Sequence, residues 1–154
     1  MKLIIGIVIF FTSVIVGISS SKKYLNRYKF YNSIKNFNQD FKSILSFKRD
    51  YIEKLYKKEY KFEYFNDILK QKLSETNKNL ILPNFLTDDE KNEINNYFYA
   101  VGRFDAITQN EILIQYEQLF NERIKHCYEE NKKYGALYQK IGVIVGLIGF
   151  IIVV

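Results

Sequence analysis

Few residues in this chain have the type and spacing to do chemistry, and the sharpest pair is His126 with Cys127, its single His and single Cys. A metal centre needs three or four convergent ligands. A thiol nucleophile needs an imidazole that faces it and a third group to orient that base. Neighbouring residues on a helix point about 100° apart, and Cys127 continues an apolar stripe. The expectation is therefore a buried thiol beside a flanking imidazole. One Cys also excludes an intramolecular disulfide. There is no Gly-rich phosphate loop and no carboxylate pair in a recognisable setting. The chain reads as non-enzymatic, with no cofactor and no metal.

A second group is the positive block. Net charge is +6, but residues 22–61 hold 12 basic against 4 acidic side chains. Within it Lys48, Arg49, Lys54, Lys57, Lys58 and Lys61 form a candidate docking face for an acidic partner or anionic lipid. Tyr residues interleave with these Lys between Tyr51 and Tyr64, a pattern that suits base stacking. No nucleic-acid recognition motif accompanies the charge, so no nucleic-acid partner is expected. The rings are read as core or rim packing. A basic block beside an apolar segment marks membrane orientation and contact with anionic headgroups.

The third group is a set of small residues. Gly142 and Gly146 form a GxxxG pair, with Gly149 and Gly135 near the same stripe, and Gly6, Ser13 and Gly17 make a comparable line near the N-terminus. In lipid, where hydrophobicity cannot drive helices together, small residues let backbones approach closely. The two stripes would suit a pair of antiparallel anchors. Equally, Gly is simply common in membrane helices, and both readings stand at this point.

These residues sit on a chain that reads as helical throughout. It is 47% hydrophobic, with 13 Tyr, 13 Phe, no Trp, 7 Gly and a single Pro. Six of the Gly lie in or beside the apolar ends, so the middle lacks the turn chemistry that sheets need. Leu3 to Ile18 is almost purely aliphatic and Phe, and extended to Ser21 it would span about 28 Å, close to the roughly 30 Å of hydrocarbon in a bilayer. A cleaved signal peptide is the alternative, with Lys2 as its basic start and Gly17, Ser19 and Ser21 as small residues for a protease. The length of the run and the cluster Lys22, Lys23, Arg27, Lys29 behind it favour a retained anchor, with the N-terminus outside. The last apolar run, Ile141 to Val154, would be about 21 Å long, short for a full span. Lys132, Lys133 and Lys140 precede it, so it too points outward, and Tyr134 and Tyr138 suit the headgroup level.

Between the anchors the apolar periodicity predicts a helix from Tyr24 to about Phe47 with Ile34, Phe37, Phe41 and Ile44 on one face. A break near Lys48 and a capping-box-like restart at Asp50 and Glu53 follow. Ile52, Leu55 and Tyr56 mark a second helix, and Phe62, Phe65, Leu69 and Leu73 a third or its continuation. Residues 74–83 are the one credible loop. Thr87 with Glu90 forms a capping box for the next helix, whose apolar face is Ile94, Tyr97, Phe98 and Val101. Gly102 sits where that helix should end in a left-handed cap. Asp105 is a plausible N-cap for a helix carrying Leu113, Tyr116, Phe120, Ile124 and Cys127. With no Pro beyond Pro83, this helix could continue to Val154, roughly 75 Å.

Two stretches carry a family resemblance. Val101-Gly102-Arg103-Phe104-Asp105-Ala106-Ile107-Thr108-Gln109 resembles the Leu-Gly-x-x-Asp…Gln turn of stage III sporulation protein AB of endospore-forming bacteria, with Gly102, Asp105 and Gln109 matching and Val101 in place of Leu. Leu137-Tyr138-Gln139-Lys140-Ile141-Gly142, leading to Gly146-Leu147, is similar to that family's entry into its last membrane segment. The chain departs from the family after Phe47, where Arg49-Asp50-Tyr51-Ile52 stands in place of a Thr-Pro-Leu turn. The resemblance implies a component of the complex that links mother cell and forespore during engulfment and supports late forespore transcription under sigma factor G. It implies a place in the mother-cell-derived outer forespore membrane, among other stage III sporulation proteins. The family also resembles the inner-membrane platform protein of type II secretion and type IV pilus systems, which implies docking of a secretion-type ATPase, the stage III sporulation protein AA.

The expected architecture is all-α: an N-terminal anchor over 1–21, a cytoplasmic helical bundle over 22–140 and a C-terminal anchor over 141–154, in contact with membrane lipid and compatible with a homo-oligomer. The expected function is a non-enzymatic membrane scaffold. The rivals are an exported, membrane-tethered binding protein, a polyanion-binding module, and a cysteine or metal enzyme.

Overall fold

The computed structural model describes residues 2–45, 50–74 and 80–153, and among them all regular structure is helical. The elements are α1 (Lys2–Ile44), α2 (Asp50–Tyr56), α3 (Glu63–Ser74), α4 (Asp88–Ala100), α5 (Ala106–Glu130), a π-helical turn (Asn131–Gly135) and α6 (Ala136–Val153). One helix covers both the first apolar run and the amphipathic stretch expected from Tyr24. Ser19-Ser20-Ser21-Lys22-Lys23 contains neither Gly nor Pro, and Ser costs a helix only tenths of a kcal/mol, roughly. From Asp105 onward the helix also continues, with only the π turn to interrupt it. The expected break near Lys48 and the polar loop residues Thr76 to Asn79 lie outside the described residues.

The chain forms two compact units, one of residues 29–124 and one of residues 1–28 with 125–154. In the first, a five-helix bundle, Phe30, Tyr31, Ile34, Phe37 and Phe41 of α1 are fully buried, along with Phe65 of α3, Ile94 and Tyr97 of α4, and Leu113 and Phe120 of α5. Phe37 is the hub. Its ring lies 5.3–6.4 Å from those of Phe41, Tyr56, Tyr60, Phe65, Tyr97 and Phe98, the spacing of tilted and edge-on aromatic pairs. The high Phe and Tyr content is thus a core made of rings. One polar group is embedded in it. Asn38 donates to the Leu113 carbonyl (2.9 Å) and accepts from the Tyr97 hydroxyl (3.1 Å), which satisfies an amide that would otherwise cost about 1–3 kcal/mol to bury.

Two of the connections are tied down by side-chain amides. Asn66 accepts from the Tyr60 N–H (2.8 Å) and donates to the Tyr60 carbonyl (2.9 Å). Gln71 does the same for Ile81, at 2.9 and 3.2 Å. Each amide completes the hydrogen bonds of one loop residue as a strand neighbour would, and Leu80 and Leu86 then reach the core. At Thr87 the capping box forms as expected. Glu90 N–H donates to the Thr87 hydroxyl (3.3 Å) and Thr87 N–H to the Glu90 carboxylate (2.8 Å).

In the second unit the first part of α1 runs antiparallel to the π turn and α6. Among the described residues two helices, Lys2–Ile44 and Ala106–Val153, are long and apolar enough to cross a membrane. Their most apolar windows are only 11% buried, whereas the other parts of the same helices carry core residues of the first unit.

Candidate functional site

The turn between α4 and α5 is built by the three residues of the first family-like motif. Gly102 has φ +83°, the left-handed region that only Gly enters without strain. Val101 before it donates its N–H to the Tyr97 carbonyl (2.9 Å) and is buried. The Gly102 N–H donates to Oε1 of Gln109 (2.8 Å), a side chain that is 1% exposed. Asp105 caps α5, its Oδ1 accepting from the N–H groups of Ile107 (3.0 Å) and Thr108 (3.1 Å). Hydrogen bonds from Thr108, first from its side chain, hold the Asp105 carboxyl below its usual pKa. Gly102, Asp105 and Gln109 are therefore all used by the turn itself. Arg103 and Phe104 between them are exposed.

The small-residue stripes meet at a close helix–helix seam. A Cβ on Gly17 would lie 2.7 Å from the Tyr138 carbonyl oxygen and 2.9 Å from the Gly142 Cα. One on Gly142 would lie 3.0 Å from the Gly17 Cα and the Ser13 carbonyl oxygen. Gly146 rests on the Phe10 backbone, its would-be Cβ 3.1 Å from that carbonyl oxygen, and Gly149 faces a methyl of Ile9. Gly6 is buried. The Ser13 hydroxyl donates to the Gly142 carbonyl (2.8 Å) and Gln139 donates to the Ser21 hydroxyl (3.1 Å). The seam then changes character. Tyr24 stacks on Tyr138 (5.8 Å, 17°) and lies 5.6 Å from Tyr134, Arg27 pairs with Glu130, and Tyr28 meets Tyr128 at 5.8 Å. Each step up α1 is matched by a step back along the partner strand of helix, from Gly149 to Tyr128. The pairings of Arg27 with Glu130 and of Ser21 with Gln139 carried no sequence signal, because the partners lie more than a hundred residues apart.

Part of the candidate docking face is engaged within the bundle. Lys48 and Arg49 lie outside the described residues. Lys54, Lys57, Lys58 and Lys61 are exposed, but Lys57 pairs with Glu53 and Lys58 with Asp40 at 2.6 Å. Asp40 also accepts from the Tyr60 hydroxyl (2.7 Å). Burial, then Asp40, pushes the Tyr60 phenol well above its ordinary pKa. Elsewhere His126 is 61% exposed at its side chain, 3.6 Å from the Glu130 carboxylate that already serves Arg27, and Cys127 is buried. Among the described residues no group of three His, Cys, Asp or Glu could hold a metal ion.

Compared with known protein families, the chain matches the family described as stage III sporulation protein AB over residues 54–154. The match begins inside α2 and takes in α3 to α6, including the α4–α5 turn and the glycines of α6, and it supports a role in sporulation. Comparison with curated proteins and with solved structures yields no match.

Proposed function

This chain belongs to the stage III sporulation protein AB family, and from that premise we propose that it is a non-enzymatic membrane scaffold of the channel linking mother cell and forespore. The observation that carries the reading is the family match joined to the Gly17–Gly142 seam. The seam gives the glycines of α6, inside the matched region, a partner on α1, outside it. Two anchors packed in this way hold both ends of a helical bundle at one bilayer, as a platform requires. The basic residues that follow the first anchor support a cytoplasmic bundle. Its partners in this reading are the other stage III sporulation proteins, with the AA ATPase docking on the basic stretch Lys54 to Lys61. Two of those lysines are already neutralised within the bundle, so Lys61 would contribute most of the attraction.

Deletion in the source organism tests the role. Arrest after engulfment, with loss of late sigma factor G activity, is the expected phenotype, and normal spores would refute it. Charge reversal at Lys54 and Lys61 should weaken capture of the ATPase by the full chain; undiminished capture removes that docking face.

A further inference from the structure

The bundle leaves large apolar side chains exposed at the turn between α4 and α5. Tyr99 at the end of α4, Phe104 in the turn and Ile107 in the first turn of α5 are 62%, 52% and 77% exposed. Singly exposed apolar side chains are ordinary, but neighbouring ones beside a fixed charge are not. Here the charge is Arg103, whose guanidinium carbon lies 3.7 Å from the centre of the Tyr99 ring. Stacking occupies the face of a guanidinium and leaves its N–H edge pointing outward. No described residue takes a hydrogen bond from that edge. Lys72, in the last turn of α3, adds a second positive charge. Burial first, and then Arg103, lowers its pKa, and no described carboxylate pairs with it.

The backbone beneath is fixed. Gly102, Asp105 and Gln109 tie the turn to itself, so Arg103 and Phe104 stand on a preorganised mount, which reduces the ordering cost of binding. We propose that the α4–α5 turn is a docking site for a protein segment that carries a carboxylate beside an apolar side chain. The carboxylate is taken by the outward edge of the Arg103 guanidinium, in the two-bond geometry that Arg favours, and the apolar side chain covers Phe104 and Ile107. Charge complementarity selects this occupant: the surface carries two cations, and the acid of the turn, Asp105, is engaged as the cap of α5. An anionic lipid surface is better met by several mobile ammonium groups, such as those between Lys54 and Lys61, than by one stacked guanidinium. The site includes none of those lysines, and the proposal does not rest on the scaffold reading.

The test uses the full-length chain in its own cells, with benzoylphenylalanine in place of Phe104. After irradiation, the cross-linked peptide is sequenced by mass spectrometry. The expected product is a segment of another protein with Asp or Glu next to the cross-linked apolar residue. Arg103→Glu should lower the yield about tenfold or more, the scale of one charge-assisted hydrogen-bond pair. Reversing the partner's carboxylate to Lys should restore it. Ile107→Ser, a second exposed position, should lower the yield while leaving the helical content and melting of the chain unchanged. Absence of a protein cross-link, a cross-link to lipid or to a second copy of this chain, or a yield indifferent to Arg103→Glu each overturns the proposal.

Discussion

At the scale of single residues, the motif Gly102, Asp105, Gln109 is a structural device. Its types were legible because each has one physical reason to be there: positive φ, an N-cap acceptor, and a long amide that reaches back. The reach of Gln109 to Gly102 was not legible, since nothing in the sequence says which donor a buried amide will find. Gly102→Ala should destabilise the full chain by about 1–2 kcal/mol, the cost of a Cβ in the left-handed region, seen as a lower melting temperature in detergent. Arg103→Ala, two atoms of backbone away but exposed, should leave melting unchanged. Titratable groups add a pH profile. The carboxyls of Asp105 and of Glu117, the latter lowered chiefly by Gln39 and also by Lys42, have folded pKa values below their unfolded ones of about 4. Their contribution is present above that pH and is lost as pH falls through the folded values. Burial raises Tyr56 to about 12 and raises Tyr97 and Tyr116 too. Their contribution is complete below the unfolded value of about 10 and is lost as pH rises through the folded values. Chemical denaturation from pH 3 to 11 should therefore show a plateau that falls at both ends, and a flat alkaline limb would contradict the buried phenols.

Among the elements, the 3.6-residue rhythm located α3, α4 and α5 well, because each buries one face against an aromatic core. It located the ends of helices less well. Leu73, read as a core position, is 40% exposed, one residue before α3 closes at Ser74. The sequence does not resolve whether α2 and α3 are one helix or two, because Asn66 does there with a side chain what Gly and Pro do with backbone. The seam of the anchors yields a graded prediction. Gly142→Leu places a side chain where α1 backbone stands at 3.0 Å and must part the helices. Gly149→Ala meets only the Ile9 side chain, which can turn aside. In a Cys127→Ala background, cysteines replacing the stacked Tyr24 and Tyr138 should cross-link on oxidation in the parent and with Gly149→Ala. They should fail with Gly142→Leu, and retained cross-linking there would show that the seam tolerates bulk.

For the molecule as a whole, membership of the stage III sporulation protein AB family and two membrane-competent helices frame the function, and orientation is what the scaffold reading most needs. With Cys127→Ala as background and Lys70→Cys as a probe on the exposed side of α3, a membrane-impermeant thiol reagent should label only permeabilised cells. Labelling of intact cells would place the bundle outside and remove the platform reading. By itself the sequence determined the helical class, the apolar ends, the capping box at Thr87 and the turn at Gly102, because each depends on residues within about one helical turn of one another. Only the tertiary structure decided that Gly17 meets Gly142, that Arg27 finds Glu130, that Phe37 sits among six rings, and that Lys58 is already paired with Asp40. Those contacts join residues far apart in the chain, and their energies come from shape and dielectric surroundings that exist only once the helices have packed.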